Sequence, residues 1–247
     1  MGKQNPDQHS CSVLARDEDL HATAPLVHGW TLREHEGPWG AKAVQDAGFI
    51  SDASHTILFV RHNSRPGTAR MWTSAQDFAE PMLFVCTNGK RDTCCAVTGV
   101  SLVRELNSDR VLESTHLGGH RFAPTALLMP HGIVLGRLTI EAAKIALSGQ
   151  IPLANYRGMS SLTRMQQAAD IAVRKRESIT ELRPLAVTEY DDIVHVQHHD
   201  GRAWDVRVVT EPTVQRPESC GGQVSQGLAF VAQSVQACSH DGHRSHL

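Results

Sequence analysis

Residues 82–116, MLFVCTNGKRDTCCAVTGVSLVRELNSDRVLESTH, decide the fold. Met82 to Thr87 is a short, β-rich apolar run of strand type, and it carries Cys86 at its end. Downstream of Cys95 the period changes. Val97, Val100, Leu102, Val103 and Leu106 recur at helical spacing until Asn107-Ser108-Asp109 stops the run, which predicts a helix. Val111 to Thr115 then reads as a second strand.

The stretch continues through a glycine-containing turn, HLGGH (116–120), into two strand-like runs, Thr125 to Met129 and Gly132 to Leu138, joined by Pro130-His131. A helical segment, IEAAKIALSG (140–149), follows, with Gly149 as its C-cap. From residue 82 the order is strand, helix, strand, loop, strand, strand, helix, which matches the second part of a thioredoxin-like fold closed by a hairpin.

Upstream, His55 to His62 is strand-like, and Pro66-Gly67 leading into Ala69 to Thr73 predicts a hairpin. Downstream, the spacing predicts a helix from Ser161 to Arg176 with Met165, Ala168, Ala169, Ala172 and Val173 on its apolar side. VHVQHHDGRAWDVRVV (194–209) predicts a hairpin turning at Asp200-Gly201, and a last helix is expected from Val224 to Ala237. The ends, 1–10 and 239–247, are polar and expected to fray. The expected fold class is α/β: a thioredoxin-like domain over 79–150, an N-terminal β-rich extension over 11–78 and a C-terminal α+β subdomain over 151–247.

Composition narrows the function. In 247 residues, 40% hydrophobic and 20% charged with a formal net charge of -2, no field selects nucleic acid or an anionic membrane. No apolar run approaches the ~20 residues needed to cross a bilayer. The opening MGKQNPDQHSCSV lacks the apolar centre of a secretory signal, so a cytoplasmic location is expected. In a reducing compartment, six cysteines are expected to be free thiols, metal ligands or redox centres sooner than disulfides.

Two pairs stand out as candidate ligands: Cys86 and Cys95, with the eight residues TNGKRDTC between them, and His116 and His120, with LGG between them. Cys86 ends a strand and Cys95 begins a helix, whose positive end favours a thiolate. Gly118 and Gly119 would each cost a helix about 1 kcal/mol, so the histidine pair belongs to a loop in which both imidazoles converge. Two thiolates and two imidazoles suit zinc or an iron-sulfur cluster, and spacing does not choose between them. Cys94 is expected to point away from Cys95. Cys220, in a Pro-Glu-Ser-Cys-Gly-Gly loop, is read as structural, and Trp39 and Arg157 as packing residues. A thiol-disulfide oxidoreductase would need a C-x-x-C arrangement that the chain lacks.

VCTNGKRDTCCAVTG (85–99) and ESTHLGGHRFAPTALLMPHG (113–132), with GPWG (37–40), the Arg157 to Asp170 segment and SCG (219–221), resemble the sucrase/ferredoxin-like proteins. The resemblance implies a thioredoxin-like ferredoxin domain and a [2Fe-2S] cluster held by Cys86, Cys95, His116 and His120. One departure is Asn88, which stands where the common form of the loop has histidine. The "sucrase" half of the name carries no weight, because no pair of carboxylates that would make a glycosidase is in evidence. The expected function is electron transfer to a redox partner protein, with protonation coupled to reduction through the histidines and no nucleic acid or membrane partner. The alternative is a structural zinc protein acting as an interaction module.

Overall fold

The computed structural model describes residues 10–51, 54–62 and 70–238. In chain order its elements are α1 (Cys11–Leu14), β1 (Trp30–Glu34), α2 (Ala43–Asp46), β2 (Thr56–Arg61), β3 (Met71–Trp72), β4 (Met82–Cys86), α3 (Val100–Leu106) and β5 (Val111–Ser114). Next come β6 (Ala126–Met129), β7 (Ile133–Leu135), α4 (Ile140–Leu147), β8 (Tyr156–Met159) and α5 (Arg164–Glu177). The chain then runs through β9 (Ala186–Tyr190), β10 (Ile193–Gln197), β11 (Ala203–Pro212), β12 (Arg216–Pro217), β13 (Val224–Ser225) and β14 (Leu228–Ala237). The fold is mixed α/β.

An eight-stranded sheet in the order β3-β1-β2-β5-β4-β6-β7-β8 forms the body of the protein. At its centre β4 runs parallel to β5 across α3, while β6 and β7 are antiparallel to their neighbours. These central strands are apolar on both faces because both faces are covered. Leu83, Val85, Ala126, Leu128, Ile133 and Leu135 pack on one side with Leu102 and Val103 of α3 and Ala142, Ala143 and Ala146 of α4. Phe84, Cys86, Leu112, Leu127 and Val134 face the other side, against Cys11, Ala24, Val27 and Trp30 from the N-terminal segment.

The helices start and stop where short polar side chains and left-handed residues allow. Asn107 ends α3 at φ 40°, and Gly149, at φ 89°, lies just past α4. The predicted start at Ser161 moves to Arg164 because Thr163 caps α5, accepting from the Gln166 N–H while the Gln166 side chain returns to the Thr163 N–H. On the buried side of α5, Asp170 accepts from Arg174 at 3.0 Å and from the Tyr156 hydroxyl at 2.9 Å.

Three expectations need correction. β3 pairs with β1 rather than forming a hairpin with β2, and β1 and β2 are parallel; the Pro66-Gly67 turn itself lies outside the described residues, as do the ends 1–9 and 239–247. The β10–β11 hairpin is present, but its loop is longer than two residues: His198 N–H reaches Arg202 O at 2.8 Å and Gly201 takes φ 96°. The expected helix over Val224 to Ala237 is instead the strands β13 and β14, the latter pairing with β11 in a four-stranded sheet. A bulge opposite Arg207/Val208 leaves Gln233 out of register, so the inward set Phe230, Ala232, Val235 breaks the period of two. No described helix is long and apolar enough to cross a membrane.

Candidate metal centre

Cys86 closes β4 and His116 stands just past β5, so both lie beyond the carboxyl ends of the parallel pair, where open α/β sheets bind their ligands. Cys86, Cys95 and His116 each present a ligand atom within 4.8 Å of the others. His120 joins through His116: their Nδ1 atoms are 3.4 Å apart and their rings stack at 4.5 Å between centroids. Its Nε2 faces Asp92 Oδ2 at 3.8 Å. The four predicted residues therefore gather at one place, with His120 just outside the tight trio.

Glycine lets the pieces approach. The chain enters α3 through a wide, π-helical turn, Cys95–Gly99, and a Cβ at Gly99 would run into the carbonyl oxygen of Cys86. Gly118 and Gly119 both take positive φ, 80° and 67°, and a Cβ at Gly119 would collide with the Arg157 guanidinium. That guanidinium is fully buried. It donates to Gly118 O at 3.0 Å, to Thr23 O at 2.6 Å and to Thr23 Oγ1 at 3.0 Å, bracing the histidine loop against the N-terminal segment. Burial, with Arg121 and Arg164 nearby, pushes its pKa down to about 9. A lone arginine between Tyr and Gly offers no local signal of this role.

Protonation favours metal binding. The hydrogen bond between Cys86 and Cys95, with a smaller contribution from His116, draws Cys86 well below the ordinary thiol range against the effect of burial, and raises Cys95 well above it. The pair thus holds one thiolate readily. Burial first, and His116 second, lowers His120 to about 4, which keeps it neutral. Thiolate and neutral imidazole are the forms that ligate metal. Two hydroxyls flanking Cys86 are buried without a hydrogen-bond partner among the described residues: Ser114, its neighbour across β5, and Thr125, whose carbonyl accepts the Cys86 N–H. Such orphaned donors fit a site built around sulfide or thiolate acceptors. The donor set and its surroundings fit a metal site.

Asn88 donates to Gly40 O at 3.1 Å, tying the ligand loop to the GPWG segment, where Trp39 packs with Val44 and Phe59. His116, Asn88, Arg91 and Lys42 line a cleft of about 360 Å³ open to solvent. Cys94 is not among the groups around Cys86. Its sulfur enters a second group with Cys11, Cys220 and Asp92, so Cys220 does more than hold a loop.

No curated protein and no solved structure matches the chain. Residues 16–158 match the sucrase/ferredoxin-like family, a span of more than half the chain that contains all four residues of the centre. With that span matched, the chain belongs to the sucrase/ferredoxin-like family.

Proposed function

We propose that this is an electron-transfer protein in which Cys86, Cys95, His116 and His120 hold one [2Fe-2S] cluster. The observation that carries the reading is the convergence of two thiols and two imidazoles beyond the ends of β4 and β5. When bound, such a cluster takes up and returns one electron at a time, at a higher potential with histidine than with cysteine alone. The chain supplies the rest. Gly99 lets the Cys95 turn close on Cys86, and Arg157 fixes the loop that aims His116 and His120.

The strand order β5-β4-β6-β7, with the first pair parallel and the last two antiparallel, supports a thioredoxin-like ferredoxin domain over 79–150. In this reading, 11–78 adds β1 to β3 to the sheet's edge, and 151–247 adds β8, α5 and the four-stranded sheet. The His116 cleft is where a redox partner protein meets the site. An imidazole nitrogen left free of metal holds the proton taken up with the electron. The reading keeps the protein in the cytoplasm, where free thiols persist.

Protein purified without oxygen is expected to be red-brown, with about two irons and two acid-labile sulfides per chain and an electron paramagnetic resonance signal on reduction. Zinc at Cys86, Cys95, His116 and His120 with no labile sulfide would replace the redox reading with a structural zinc module. Protein-film voltammetry tests the proton coupling: a potential that does not fall as pH rises removes the coupling and leaves the cluster.

A further inference from the structure

We infer that Cys11, Cys94, Cys220 and Asp92 form a second metal site, a closed tetrahedral Zn²⁺ site independent of the centre above. The three sulfurs make a triangle: Cys11 to Cys94 3.6 Å, Cys94 to Cys220 3.3 Å and Cys220 to Cys11 3.6 Å. Asp92 caps it through one oxygen, Oδ1, 3.5 Å from Cys220 Sγ and 3.9 Å from Cys11 Sγ. A tetrahedron with Zn–S of about 2.3 Å and Zn–O of about 2.1 Å has S–S edges of about 3.8 Å and S–O edges of about 3.6 Å. The three S–S edges and these two S–O edges stand within about 0.5 Å of those values, and all four ligand atoms lie within 4.8 Å of one another, so a zinc ion fits with little movement.

The surroundings are those of a ligand set. Cys11, Cys94 and Asp92 are buried and Cys220 is half-buried. The Asp92 carboxylate receives N–H bonds from Cys94 at 2.9 Å and Cys220 at 3.0 Å. Among the described residues, Asp92 pairs with His120 at 3.8 Å, and no lysine or arginine reaches it. A dication between three sulfurs and a carboxylate supplies the missing positive charge. On binding, the thiol protons leave to solvent and three thiolates with one carboxylate complete the coordination. Cys11 and Cys220 lie outside the family-matched span, so this site ties both outer segments to the ligand loop.

The test is zinc and iron analysis of the full chain, prepared without an affinity tag and washed with chelator to strip metal from His240, His243 and His246 near the end of the sequence. The wild type is expected to keep about one zinc per chain at this site, and Cys11→Ser and Cys220→Ser each to lose it more than tenfold with iron and labile sulfide unchanged. Retained iron shows that the variants fold; if the cluster reading fails, far-UV circular dichroism does so instead. Should the first centre also hold zinc, each variant lowers the count from two to one, and the inference stands while the cluster reading falls. Wild type without zinc, or zinc kept by both variants, overturns the inference. So does a Cys94–Cys220 disulfide found by non-reducing peptide mass spectrometry in freshly prepared protein.

Discussion

Cys94 and Cys95 stand side by side, yet their sulfurs enter different neighbourhoods. Cys95 meets Cys86 and His116, with His120 stacked on His116, all supplied by one stretch of sheet ends and glycine turns. Cys94 meets Cys11 and Cys220, 83 and 126 residues away, from segments that dock on the sheet from opposite ends of the chain. The first neighbourhood is built by the local path of the backbone. The second exists only once the outer segments are in place, so it should loosen first when they do.

The largest effect expected is all-or-none. Cys95→Ser removes a proposed cluster ligand and should take iron from about two per chain to near zero. Cys94→Ser should leave iron and the visible spectrum intact while zinc is lost, since adjacent side chains at a helix start point in different directions. Elemental analysis of the two variants decides it. If Cys94→Ser empties the iron site and Cys95→Ser spares it, the two neighbourhoods have been exchanged in our assignment.

Arg157→Met comes next. It leaves the carbonyls of Gly118 and Thr23 buried without their donors, at a cost of about 3 kcal/mol. For a chain of this size that lowers Tm by roughly 10 °C. Because the guanidinium braces the histidine loop, iron should fall further than zinc. Scanning calorimetry with metal analysis checks both, and a variant that loses zinc first would remove Arg157 from the role of brace.

The same contrast explains what could be read in the sequence. The periods of β4, α3, β5, β6 and β7 were plain because both faces of the sheet are buried and the turns carry glycine, proline or asparagine. The ligand residues were readable because Cys86, Cys95, His116 and His120 fall within that stretch. The gathering of Cys11, Cys94 and Cys220 was not readable: three distant thiols carry no spacing signal, and Asp92 looks like a solvated loop residue until Cys220 N–H is placed on it. β14 was misread as a helix for a related reason, since the bulge at Gln233 arises from pairing with β11 and cannot be seen in the strand alone.

Gly99→Ala probes the local neighbourhood without touching a ligand. Gly99 has ordinary helical dihedrals, φ -68° and ψ -44°, so alanine should add up to about 1 kcal/mol of helix propensity. The new methyl, however, meets the Cys86 carbonyl oxygen, and overpacking of that kind costs about 2–3 kcal/mol. A net loss of about 2 kcal/mol in urea unfolding is expected. A gain in stability would show that α3 does not press on β4 as described.

The smallest effect concerns an ion network that joins the same two outer segments as the Cys94 neighbourhood, but to the histidine loop and without metal. Glu18 accepts from Arg121 at 3.0 Å and from Arg216 at 2.6 Å, and Arg121 also reaches Glu218 at 2.8 Å. Burial opposes the Glu18 carboxylate, but the hydrogen bonds from Arg216 and Arg121 outweigh it and hold its pKa below the ordinary value. A depressed carboxylate pKa means that the unfolded chain binds the proton more tightly. The contribution is therefore complete above the unfolded pKa of about 4.3 and is lost as pH falls through the folded value. Glu18→Gln should cost about 1.5 kcal/mol near pH 7, and the gap between wild type and variant should close as pH falls toward 3. Urea unfolding from pH 7 to pH 3 measures the gap. If the outer segments dock as one unit, Glu18→Gln should also hasten chelator removal of zinc while iron is unaffected; equal rates in wild type and variant would show that the network and the Cys94 neighbourhood hold those segments independently.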